Sequence, residues 1–173
     1  WGRSNFDRLH NYVLTGLYEL PWGPGHPWLS EGLLGKVIGG WQVNGFLTFQ
    51  SGAPFGVLNG ADPGGVVLGN LVGTSIRPFL NTNLDLSSMG VRELQTAGGR
   101  ALFSPATVTN PVGNAGRNIL RADGINNVDL GIFKNTSIGE NQRIQFRAEF
   151  NNATNTRDFG IPEGRVNSSN FLN

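Results

Sequence analysis

Four charged residues stand at spacings that could do chemistry: Asp129, Arg143, Arg147 and Glu149. In extended chain Arg143, Arg147 and Glu149 share one side of the 142–152 segment, and Asp129 falls on the matching side of the segment before it. Lining a lumen, such a face would guide a charged solute; facing water, it would be a ladder that steadies two strands. The other candidates offer less. His10 and His26 have no carboxylate or second histidine at ligand spacing, which leaves strand-edge packing or turn polarity for them. No Gly-x-Ser-x-Gly elbow, Walker loop or His-Glu-x-x-His pattern occurs. The glycine-rich stretch 59–65 is not set between a buried strand and a helix, as a phosphate cradle would be. The chain has no cysteine, so disulfides and thiolate metal sites are excluded. The triplets at Asn135, Asn152 and Asn167 that approach the glycosylation pattern are read as chance. No enzyme activity, cofactor or metal is expected.

Strands must position that charged face. Four segments alternate with period 2, at about 9–20, 40–50, 127–138 and 142–152. The first sets Tyr12, Leu14, Tyr18 and Leu20 against Asn11, Val13, Thr15, Leu17 and Glu19. The second sets Trp41, Val43, Leu47 and Phe49 against Gln42, Asn44, Phe46, Thr48 and Gln50. The last two form a hairpin, with Leu130 and Ile132 on the dry side of one strand and Ile144, Phe146 and Phe150 on that of the other. A three-residue turn at Gly139, Glu140 and Asn141 pairs Leu130 with Phe150 and Ile132 with Ala148. It also puts Phe133 opposite Arg147, within reach of a cation–π contact.

The connections are unequal. The 21–36 segment is dense in Pro, Gly and Trp, with a helical turn expected near 30–34. The stretch 52–124 is very long; within it Ser88 could cap a short helix through Gln95, and the apolar runs 55–58 and 65–72 are the places for added strands. A loop-like tail follows Asn151. Composition agrees with a turn-rich β chain: 26 of 173 residues are glycine, and charged residues make up 14% against the usual ~25%. A net charge of +1 gives no footprint for nucleic acid. No apolar run reaches the ~18 residues of a membrane helix, so a membrane role has to use strands. A transmembrane barrel accounts for loops alternating short and long, whereas a soluble β-sandwich accounts equally for the two-faced strands.

A resemblance bears on that choice. The string Arg3-Ser4-Asn5-Phe6-Asp7-Arg8-Leu9-His10-Asn11, followed by Gly16-Leu17-Tyr18-Glu19-Leu20-Pro21, resembles the late barrel of TonB-dependent outer-membrane receptors. The nearest kind is the Oar-like group, whose members carry a carboxypeptidase-regulatory-like domain. The likeness continues at Gly39-Gly40-Trp41-Gln42-Val43-Asn44-Gly45, Gln50-Ser51-Gly52-Ala53-Pro54-Phe55, Gly113-Asn114-Ala115-Gly116-Arg117-Asn118, Asn127-Val128-Asp129-Leu130, Gln145-Phe146-Arg147-Ala148-Glu149-Phe150 and Asn167-Ser168-Ser169-Asn170-Phe171. The resemblance implies that the plug, the TonB box and most of the barrel lie outside this stretch, and that the family's final strand would be expected to follow Phe171.

The expected fold is therefore all-β: one domain over 1–173, an antiparallel barrel or barrel-like meander of long alternating strands, completed by strands of neighbouring copies. Tyr12, Leu14, Tyr18, Trp41, Val43, Leu47, Phe49, Leu130, Ile132, Ile144, Phe146 and Phe150 would face lipid or a partner, and Asp129, Arg143, Arg147 and Glu149 a lumen. The place is the outer membrane or the extracellular space of a Gram-negative-type bacterium. The partners are copies of the chain, added strand to strand into a fibre, or the lipid bilayer, and not nucleic acid. The alternatives are a receptor segment engaged in ligand uptake and a soluble binding sandwich.

Overall fold

Strands form where alternation is sustained, and the computed structural model places them within two residues of the alternating segments. It describes residues 2–65, 76–138 and 141–173. The chain runs β1 (Asn11–Glu19), α1 (Gly32–Ile38), β2 (Trp41–Gln50), β3 (Pro54–Phe55), β4 (Phe79–Leu80), α2 (Val91–Thr96), β5 (Phe103–Ser104), β6 (Leu120–Arg121), β7 (Ile125–Ile138) and β8 (Gln142–Phe150). It divides into two compact units. A sheet unit comprises Asn11–Phe49 and Asn126–Arg157; a loop unit comprises Trp1–His10, Gln50–Ile125 and Asp158–Asn173.

The sheet unit is built on one four-stranded sheet in the order β1-β2-β7-β8. Strands β7 and β8 pair antiparallel with Leu130 opposite Phe150, Ile132 opposite Ala148 and Phe133 opposite Arg147. That is the register a three-residue turn imposes, although Gly139 and Glu140 lie outside the described residues. β8 stops at Phe150 rather than Asn152 because the Asp129 carboxylate accepts the Asn152 N–H at 2.8 Å, and Asn152 turns into the left-handed region at φ 50°. Between β1 and β2 the helical turn expected near 30–34 is α1, displaced a few residues along the chain.

In the loop unit the long connection 52–124 and the tail are mostly irregular chain among the described residues, but they are folded around a core. The unit holds two two-stranded sheets, β3 with β6 and β4 with β5, and a core of its own. Val57, Leu94, Leu120 and Leu172 are fully buried, each worth about 1.5–3 kcal/mol of burial. Phe103 and Phe171 meet edge to face with ring centres 5.9 Å apart. Strands of two residues carry no periodic signal, so nothing in the sequence pattern marks them. Phe55 lies in β3 and Leu58 bridges to Arg165, while most of the 65–72 run falls outside the described residues. Ser88 caps nothing. It ends a 3-10 turn (Leu86–Ser88) capped by Asp85, and α2 starts afresh after Gly90, whose N–H donates to the Glu93 carboxylate at 3.0 Å.

Polar ties close this unit. Asn118 Nδ2 donates to the Arg3 carbonyl and to Asn5 Oδ1, and the buried Arg121 reaches the Asp7 carboxylate at 2.7 Å and the Gly52 carbonyl at 3.1 Å. The C-terminal segment is held by Glu163, whose backbone carbonyl accepts the Leu172 N–H. Hydrogen bonds from the Arg165 side chain and its N–H hold the Glu163 carboxyl down at about 2. A depressed carboxyl stabilises above its unfolded value of about 4.5 and loses that contribution as the pH falls towards 2. Glu163→Gln is therefore expected to be cut by pepsin at Phe171–Leu172 several-fold faster than the wild type at pH 4. The difference should shrink as the pH falls and disappear once it has passed below about 2.

Candidate membrane-spanning sheet

The sheet acquires two chemically different faces from the register alone. At the ends of the β1–β2 pair, Leu20 N–H donates to Trp41 O and Ser51 N–H to His10 O, each at 2.9 Å. This sets Tyr12, Leu14 and Tyr18 across from Phe49, Leu47 and Val43. Between β2 and β7, Asn135 N–H donates to Gly40 O at 2.9 Å, which sets Trp41 beside Lys134. Gly40 sits at φ +76°, and a Cβ there would lie 2.3 Å from the Asn135 carbonyl oxygen, so only glycine lets β2 start this close to β7. The β7–β8 register completes the rows, with Lys134 opposite Phe146 and Leu130 opposite Phe150.

All twelve residues expected on the apolar side come together on one face: Tyr12, Leu14, Tyr18, Trp41, Val43, Leu47, Phe49, Leu130, Ile132, Ile144, Phe146 and Phe150. Trp41 and Phe146 touch edge to face at 6.4 Å. The face is open. Leu14 is 64% exposed, Tyr12 63% and Phe146 57%. Among the described residues every buried hydrophobic side chain belongs to the loop unit, and none to the sheet unit. In water a face of this kind is a liability that folded domains do not leave uncovered.

Asp129, Arg143, Arg147 and Glu149 share the opposite face, and three of them are engaged within the sheet. Arg147 lies over the Phe133 ring, 5.0 Å from its centre, and its guanidinium donates to Glu149 Oε1 on the same strand, Nε at 2.8 Å. Asp129 accepts from Asn127 Nδ2 at 2.9 Å as well as from Asn152 N–H. Arg143 is exposed, opposite Ser137. This face is also less polar than its charges suggest: Val13, Leu17 and Phe46 stand on it, well exposed. His26 lies 3.8 Å from Glu19, and among the described residues no three His, Asp or Glu side chains gather as metal ligands. Among the described residues no helix is long and apolar enough to cross a membrane, which says nothing of strands.

A family model described as an outer membrane beta barrel domain matches residues 1–172. The chain belongs to this family. No curated protein and no solved structure matches it. Membership places the protein in the outer membrane, and it overturns the soluble-sandwich alternative. The match spans both units, so the loop unit belongs to the barrel domain as much as the strands do.

Sequence reasoning missed Lys134, a cation on the apolar face that stands over the Trp41 ring at 5.2 Å. Its place at an alternate position among Ile132, Leu130 and Val128 was the available signal. For the opposite face, the double-mutant cycle of Phe133→Ala with Arg147→Ala is expected to give a coupling of about 0.5–1 kcal/mol in barrel stability, the size of an exposed cation–π pair. Additive effects would reduce the pair to mere proximity.

Proposed function

We propose that β1, β2, β7 and β8 are membrane-spanning strands from the barrel of a TonB-dependent receptor-like protein of the Oar-like kind, and that the chain is non-enzymatic. The apolar face meets lipid and the face with Asp129, Arg143, Arg147 and Glu149 meets the lumen. The loop unit, folded on its own core, stands outside the cell where a ligand is captured. One observation carries this reading: all the buried hydrophobic residues described lie in the loop unit, whereas the large apolar side chains of the strands are left to the surroundings.

Strand lengths support it. At 9, 10, 14 and 9 residues, the four strands meet or exceed the ~9–11 that a tilted strand needs to cross a bilayer. The apolar face is also graded. Tyr18, Trp41 and Phe146 stand towards the short connections and Tyr12 and Phe49 towards the long ones, with Leu14, Leu47, Leu130 and Ile132 between, as in a lipid band between aromatic girdles.

A second reading draws on the edges. β1 and β8 flank the sheet, and among the described residues neither pairs with a further strand. Such edges take up another strand, either from the same barrel or from copies of the chain adding one to the next into an extracellular fibre. Electron microscopy of native material without detergent separates the two, since only the fibre gives filaments.

The barrel reading predicts a face-specific response to charge. Leu130→Arg is expected to cost about 2–4 kcal/mol of folding into phospholipid vesicles, seen as loss of the heat-modifiable band on a gel, while Thr48→Arg on the other face costs little. Equal tolerance at both positions would reject it.

A further inference from the structure

The connection that carries α1 is built the reverse of a water-facing surface. The helix buries Gly35 and turns its leucines outwards: Leu33 is 82% exposed, and Leu34 and Val37 are each 65% exposed. These three sit at i, i+1 and i+4, on one side of the helix. Trp28 and Leu29, in the turn before it, are exposed as well. The arrangement is held from behind by backbone bonds. Trp22 and Trp28 bridge, Gly23 N–H donates to Trp28 O at 2.9 Å, and Gly39 N–H donates to Gly35 O at 2.8 Å. A helix of seven residues has no stability of its own to spare, so an outward apolar side needs an apolar surrounding.

We propose that this connection, with Trp28, Leu29, Leu33, Leu34 and Val37, inserts into the phospholipid leaflet at the short-turn end of the strands, extending the lipid-facing surface beyond the sheet. The inference rests on the reading that the apolar face of the sheet meets lipid. Continuity supports it. The apolar surface does not stop at the row of Trp41 and Phe146: on the adjoining hairpin Ile144 and Ile138, beyond that row, are 58% and 50% exposed.

Lys134 marks the junction. It is the one charged residue on the apolar face among the described residues of the four strands. Its ammonium donates to the carbonyls of Val37 and of Gly39, the latter at 2.8 Å. A cation set in apolar surroundings has to be satisfied from within the protein, and the carbonyl-rich end of α1 supplies the acceptors. The helix is thereby fastened to the sheet, with its leucines facing the same medium. Lys36, in the last turn of the helix, has the long stem that lets an ammonium reach phospholipid headgroups from there.

The chain contains no cysteine, so a single introduced one is a unique label within it. Leu33→Cys, Val37→Cys, Leu14→Cys and Glu31→Cys would each be labelled with an environment-sensitive fluorophore, in the protein as its host makes it, in isolated outer membranes. Phospholipid carrying a nitroxide on its acyl chain is then added. We expect blue-shifted emission and several-fold quenching at positions 33, 37 and 14, and neither at 31. Quenching at 14 without quenching at 33 and 37 overturns the inference while leaving the sheet in lipid. Blue-shifted but unquenched emission at 33 and 37 overturns it too, because a protein would then cover the helix. Absence of quenching at 14 overturns the reading of the sheet, and the inference with it.

Discussion

A four-stranded sheet cannot bury its own face. Every strand of the sheet unit places large apolar side chains at alternate residues, and among the described residues every buried hydrophobic side chain belongs to the loop unit. The constraint then falls on the surroundings. If the medium against this face is hydrocarbon, exposure of Leu14, Leu130 and Phe146 costs nothing, and pairing every strand edge becomes the requirement instead. The rest of the sheet follows from that exchange, from the gathering of the largest apolar side chains on one face to Lys134 on that face being bound by backbone carbonyls.

The loop unit obeys the opposite rule. Its strands are only two residues long, so its order comes from side chains that converge from distant stretches. Val57, Leu94, Leu120 and Leu172 supply the centre. Two buried asparagines are paired with the backbone, Asn59 with the Ala61 carbonyl and the Ala106 N–H and Asn118 with the Arg3 carbonyl. Two segments that resemble TonB-dependent receptors, 3–11 and 113–118, therefore meet through Asn5 and Asn118. One chain thus contains a part organised by burial within itself and a part organised by what lies outside it, and this division is what an outer-membrane barrel domain with a folded loop region requires.

Legibility in the sequence divides along the same line. Period 2 is visible over nine residues or more, so β1, β2, β7 and β8 could be read, and a three-residue turn read from Gly139, Glu140 and Asn141 predicted which residues of β7 and β8 face each other. The Phe133–Arg147 contact followed from that register. The two-residue strands could not be read, because a pattern needs more than one repeat. Ser88 misled because a serine before an apolar run is an N-cap signal, whereas the helix start was decided by the Gly90–Glu93 hydrogen bond. For α1, Leu33, Leu34 and Val37 were plain to see, but the side of so short a helix that faces outwards depends on how Trp22, Gly23 and Gly39 fold back on one another. Alternation gathers the apolar set on one face, but it overstates the polarity of the other, where Val13, Leu17 and Phe46 interrupt the polar residues.

The most direct test of the central claim is a nitroxide scan along 142–150 in isolated outer membranes, one residue at a time, comparing collision with oxygen against collision with a water-soluble nickel complex. Membrane-spanning strands predict a period of two, with Ile144, Phe146 and Phe150 favouring oxygen and Arg143, Gln145 and Glu149 favouring nickel. A flat profile, or nickel access throughout, would contradict a lipid-facing sheet.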